Sequence, residues 1–180
     1  MRTRIVCVGN ELARDDGLGI RVGRVLEELE LPSDIEVVLA SEVGLDLIDV
    51  VLGAEKIVLV DATRTGRAPG TLHVMTQETV SELAQTPCSS HAIGLPELLK
   101  LAERLDAHPV PRTTVLVGVE AEILDEFGMA LSEPVRRALP DAAAEALRLA
   151  GADSTAIEAA RARARELADW EPPLVESYGG

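Results

Sequence analysis

The sequence predicts an α/β fold: a single-domain three-layer sandwich in which a mostly parallel five-stranded sheet carries helices on both faces. Two observations predict it. From residue 4 to residue 60, strand-like and helix-like stretches alternate as β-α-β-α-β with short connections, the pattern of a doubly wound sheet with right-handed crossovers. The second observation is the core material. Of 180 residues, 47% are apolar but only 2% are aromatic, so Val, Leu, Ile and Ala must fill the interior, as they do in parallel sheets covered on both sides. The length fits one domain that buries a core without cross-links.

Residues 4–8 alternate around Ile5, Val6 and Val8 and stop at Gly9, which reads as a buried first strand closing on a turn. After a polar loop, Leu18, Ile20, Val22, Val25, Leu26 and Leu29 fall at helical spacing, and Pro32 ends the run. Ile35–Ala40 is the second strand, residues 45–52 a short helix closed by Gly53, and residues 56–60 a strongly apolar third strand. Pro69 and Gly70 mark a turn before a short strand over residues 71–75. Residues 95–105 are helical in pattern, and residues 113–119 form a strand rich in β-branched side chains. From Leu131 the chain turns helical with Ser132 as N-cap. Pro140 is expected to break or kink that helix, with residues 142–150 continuing it to Gly151. Thr155 and Glu158 have the form of a capping box for a last surface helix over residues 156–169. The organisation expected is an α/β domain over residues 1–151, then an additional C-terminal helix and tail over residues 152–180.

Charge narrows the partners. A formal net charge of −14 offers no cationic field to a nucleic-acid backbone or an anionic membrane surface. No apolar run approaches the roughly 18 to 20 residues of a membrane span, and no signal-peptide pattern opens the sequence, so a cytoplasmic protein is expected. Cys7 and Cys88 are expected to be free thiols. Cys88 and His91 have the spacing of half a zinc site, but no second pair completes it. The loop GNELARDDGLG follows the first strand as a phosphate loop would, yet its glycines are spaced differently and its two aspartates would repel a phosphate.

In an open parallel sheet, ligands bind beyond the carboxyl ends of the strands, where the strand order reverses. Acids gather there: Asp15 and Asp16 after the first strand, Glu42 after the second, Asp61 after the third, and Glu120 and Glu122 after the fifth. With a 2-1-3 order, Asp16 and Asp61 flank the reversal, and the polar loop carrying His91 can close over them. Two carboxylates and an imidazole suit a divalent transition metal. Taken singly, Asp16 reads first as a cap of the following helix, and Asp61 reads equally as an acid bonding loop amides. His73 and His108 receive no role.

The ordered pieces Gly9-Asn10, Arg14-Asp15-Asp16-Gly17-Leu18-Gly19, Gly44-Leu45-Asp46-Leu47, Val60-Asp61-Ala62 with Gly66, Pro69-Gly70-Thr71, Ser90-His91, Gly94-Leu95, Val117-Gly118-Val119-Glu120 and Leu131-Ser132 together resemble the hydrogenase maturation proteases. The resemblance spans roughly residues 3 to 150. It implies an endopeptidase that removes the C-terminal extension of a nickel-iron hydrogenase large-subunit precursor. It also implies metal ligands at Asp16, Asp61 and His91, with Asp16 and Asp61 as the catalytic pair. Asp16 stands where well-known members often have Glu, and Ser41-Glu42-Val43 where many have Gly-Gly-Thr. The metal implied is nickel supplied by the substrate, with zinc or cadmium able to stand in for it in crystals. The partner implied is the nickel-loaded precursor, and a monomer is expected. Two other classes stay open on sequence alone: a small-molecule hydrolase or phosphorylase on a similar frame, which would need a deep apolar pocket, and a non-catalytic metal-binding module.

Overall fold

A computed structural model describes residues 2–41, 48–76, 79 and 111–168. Strands β1 (Thr3–Val8), β2 (Ile35–Ala40), β3 (Lys56–Thr63), β4 (Leu72–Thr76) and β5 (Thr113–Glu120) form one sheet in the order β2-β1-β3-β5-β4. All neighbours run parallel except β4, which lies antiparallel on β5. The 2-1-3 order is therefore present, with the reversal between β1 and β3. The third strand is longer than its apolar run suggests. It continues through Asp61 to Thr63, because β5 supplies backbone partners out to Glu120.

Alternation along the strands sorts side chains between two cores, since successive residues point to opposite faces. Ile5, Cys7, Val58, Val60, Val117 and Val119 face one layer of helices. That layer comprises α1 (Leu18–Glu27), α3 (Glu133–Ala150) and α4 (Ser154–Ala168). Val6, Val8, Ile57, Leu59 and Leu116 face the other side with Val51 of α2 (Ile48–Val51). Cys7 is free and fully buried, and that burial pushes its thiol pKa far up, so it is an inert core residue. Among the described residues, no helix is long and apolar enough to cross a membrane.

The helices sit close to the sheet at named glycines. A Cβ on Gly23 would lie 2.0 Å from Leu39 Cδ2 and 2.9 Å from Cys7 Cβ, so only glycine lets α1 approach β1 and β2 this closely. A helix of four residues cannot stand alone in water, and α2 is held by Arg4. The Arg4 guanidinium donates to the carbonyls of Asp49, Val50 and Leu52, and its Nε donates to Glu36 at 2.7 Å.

Three terminal details differ from expectation. Helix α3 runs unbroken through Pro140, which is buried on the core side of the helix. Packing of Leu139, Ala142, Ala143 and Leu147 holds the helical path where the ring removes one backbone bond. Ser132 occupies the N-cap position but caps nothing with its side chain, because its hydroxyl is used elsewhere. The last helix is capped by Asp153, whose Oδ1 accepts from Ala156 N at 2.9 Å, and not by Thr155. Its Ala160 and Ala164 are fully buried in the core, so the small side chains of α4 make a packing face on the rest of the domain.

Candidate active site

The loop after β1 folds back on itself. Gly9 has φ of +150°, and a Cβ there would sit 1.9 Å from the Asp16 carbonyl oxygen. Asn10 N donates to that same carbonyl at 3.2 Å and to Asp16 Oδ2 at 2.9 Å. Asn10 Oδ1 in turn accepts from Leu12 N at 3.0 Å, an Asx turn. Arg14 takes φ of +51°, unusual for a side chain of its size, and opens a 3₁₀ turn over Arg14–Gly17. Residues 12 and 14 are fixed there by Arg14 N donating to the Gly128 carbonyl at 2.7 Å and Gly128 N donating to the Leu12 carbonyl at 2.9 Å.

The two neighbouring acids of this turn part company. Asp15 is fully buried. Its Oδ1 accepts from Ser132 N at 2.6 Å, while Oδ2 accepts from Ser132 Oγ at 2.8 Å, Glu122 N at 2.9 Å and Ile123 N at 2.8 Å. One carboxylate thus ties the loop after β5 and the start of α3 to the turn after β1. Asp16 is half-buried, and its Oδ2 accepts from Asn10 N across the turn.

Asp61 is fully buried within β3, paired with Gly118. The turn carrying Asp16 packs directly on β3. A Cβ on Gly19 would lie 2.0 Å from the Val8 carbonyl and 2.6 Å from that of Val60, so the start of α1 straddles the carboxyl ends of β1 and β3. Asp16, in the turn after β1, and Asp61, within β3, therefore lie at the end of the sheet where its order reverses. His91 lies outside the described residues, as do Glu42, Cys88 and His108. Among the described residues, no three His, Cys, Asp or Glu side chains form a metal-holding group.

A second polar cluster lies one step along the sheet. By strand alternation Asp61 and Thr63 share a face, and Glu120 pairs with Thr63 across the β3–β5 register. Glu120 is buried, and both its oxygens collect donors from one loop: Thr65 N and Oγ1, Gly66 N and Arg67 N, at 2.7 to 3.2 Å. Burial alone would raise its pKa, but these bonds outweigh it and hold the carboxyl below its ordinary value of 4.5. The depressed value sets a sign. Glu120 stabilises the fold in full above pH 4.5, and that contribution is lost as pH falls through the folded-state value. Urea denaturation from pH 7 to pH 3 should show the stability gap between wild type and Glu120→Gln shrinking at the acid end; a constant gap would contradict this.

His73 completes the cluster. Its Nδ1 lies 3.3 Å from the Thr71 carbonyl and its Nε2 3.2 Å from the Thr63 hydroxyl, which also lies 3.4 Å from Glu120 Oε2. Burial first, and the Arg67 charge second, keep the ring below the ordinary histidine pKa and hence neutral at neutral pH. Gly118 makes room for it, because a Cβ there would lie 2.6 Å from His73 Nε2. Sequence reading left Asp15, Glu120 and His73 without assigned roles. The usable signal was the strand register, which sets His73, Gly118 and Asp61 in one row.

The family model described as HycI, hydrogenase maturation protease, matches residues 20–149. This chain belongs to the hydrogenase maturation protease family. The matched span contains Asp61 and His91 and begins just after Asp16. Among relatives of this protease, the hydrogenase expression/formation protein HupM of Azotobacter chroococcum mcd 1 is 35% identical over 145 residues, covering 79% of this chain and 68% of the relative. The hydrogenase 2 maturation protease of Escherichia coli (strain K12) is 31% identical over 127 residues, covering 69% and 76%. The fold matches the hydrogenase maturating endopeptidase HybD from E. coli with a TM-score of 0.74 at 28% identity, over 85% of this chain and 96% of that one. It matches HybD from Thermococcus kodakarensis with a TM-score of 0.66 at 32% identity, over 83% and 99%. The protein is a peptidase on a maturation-protease fold.

Proposed function

We propose that this protease removes the C-terminal extension of a nickel-iron hydrogenase large-subunit precursor, and that Asp16, Asp61 and His91 engage the nickel already bound in that substrate. One observation carries the site: Asp16 lies in the turn that follows β1 and packs on β3, and Asp61 lies near the carboxyl end of β3, the two strands between which the sheet order reverses. The donor set fits the ion. Two carboxylates and an imidazole suit a divalent transition metal better than magnesium, which prefers oxygen ligands and keeps its waters.

A bound divalent ion can lower the pKa of a water and polarise the scissile carbonyl. Asp16 and Asp61 would be the ligands that set the ion against the peptide bond, and a carboxylate oxygen of either would take the proton of the attacking water. His91 is assigned as the third ligand. Asp16, on a turn locked by Asn10 and Asp15, is held in place before the substrate arrives, which lowers the cost of reaching a productive geometry. The chain acts in the cytoplasm as a monomer in this reading. Incubation of the purified protease with nickel-loaded precursor should release the C-terminal peptide, detected as a mass loss; a precursor that stays intact would contradict the assignment.

A further inference from the structure

Beside the site lies a surface that the chemistry above does not use. Phe127 is the only phenylalanine in the chain, and it is 87% exposed. In a protein that must build its core almost without rings, a lone aromatic placed in solvent costs apolar burial that the fold could have used. Four large apolar residues are conspicuously exposed among those described, and three of them, Leu12, Phe127 and Met129, come from two loops that are joined. The backbone bridge between Ala13 and Gly128 sets Leu12 beside Phe127. Leu12 and Met129 then line one open groove of about 360 Å³ with Ile20 and Leu39. The groove begins at Gly9 and Asn10, whose amide bonds Asp16.

We infer that Phe127, Leu12 and Met129 form the docking surface that grips the precursor chain next to its scissile bond. The occupant assigned is an extended segment of the large-subunit precursor that carries an apolar side chain flanked by Lys or Arg. This surface rests on the reading of Asp16 as part of the catalytic centre. An endopeptidase must hold its substrate on both sides of the bond it cuts, so a groove that starts at Asn10 is covered by substrate whenever the bond reaches Asp16. The charge fits as well. Exposed Glu122 and Glu126 stand in the same loop as Phe127, whereas Asp125 there is paired with Arg64, giving an apolar centre with two acids at its rim that match an apolar segment with basic neighbours. Aromatic anchors of this kind carry a disproportionate share of interface energy.

The test is steady-state cleavage of nickel-loaded precursor by full-length Phe127→Ala, Phe127→Leu and Val74→Ser, the last an exposed apolar control on β4 away from the site. Phe127→Ala should raise KM roughly tenfold or more while kcat at saturation and the melting temperature stay at wild-type values. Phe127→Leu should recover much of the loss, and Val74→Ser should match wild type. A wild-type KM for Phe127→Ala would overturn the proposal. So would a wild-type dimer that Phe127→Ala dissociates with KM unchanged, because the surface would then belong to a second copy. Asp61→Asn separates this from the site assignment: it should bind the precursor without cutting it, and normal cutting by Asp61→Asn would indict the site and leave the Phe127 result standing.

Discussion

Asp16→Asn and Asp61→Asn should each leave nickel-loaded precursor uncut while the purified proteins melt within a few degrees of wild type. The substitution removes charge and keeps shape. An asparagine keeps the outline of the side chain, and its carbonyl can still accept the Asn10 amide that Asp16 holds at 2.9 Å. It cannot match an anionic oxygen as a metal ligand or as a base. Losing several kcal/mol of charge stabilisation, at tenfold in rate per roughly 1.4 kcal/mol, lowers kcat by about three orders of magnitude. A thermal melt run beside the cleavage assay on the same preparations reads both effects. Full cleavage by both variants would place the catalytic groups elsewhere.

The second large effect is on stability and falls one residue away. Asp15→Ala should cost about 3 to 5 kcal/mol, the range for uncovering a buried, fully hydrogen-bonded charge site. For a chain of this size that lowers the melting temperature by roughly 10 °C or more. Asp15→Asn should also destabilise, in contrast to the same change at Asp16. Both Asp15 oxygens accept hydrogen bonds, so an amide nitrogen at either end would point a donor at a donor. Calorimetric melts of Asp15→Ala, Asp15→Asn and Asp16→Asn would check the contrast. A shift of under 2 °C for Asp15→Ala would show that the loop after β5 is not held by this carboxylate.

Much of the frame was legible because apolar spacing is a direct record of burial. The alternation in residues 4–8 and 56–60 and the β-branched run from Thr113 correspond to β1, β3 and β5, and the 2-1-3 order that placed Asp16 beside Asp61 is the observed one. What escaped is set by tertiary contacts that no local pattern records. The strand through Asp61 and Thr63 looked like a loop because its residues turn polar, whereas β5 pairs with it to the end. Asp15 and Asp16 are adjacent and chemically alike, and only distant partners, the Glu122 and Ile123 amides and Ser132, 117 residues on, make Asp15 the lock. Ser132 read as a helix cap for the same reason: its hydroxyl has a distant partner. The aromatic at Phe127 carried no periodic signal, and its meaning comes from the loop pairing that sets it next to the site.

In the proposed function the protease recognises the nickel in its substrate through Asp16 and Asp61. The most direct measurement is mass spectrometry of the large-subunit precursor after incubation with wild-type protease, in parallel nickel-loaded and nickel-free samples. The prediction is loss of the C-terminal peptide from the nickel-loaded precursor and an intact nickel-free precursor. Equal cleavage of both would contradict it.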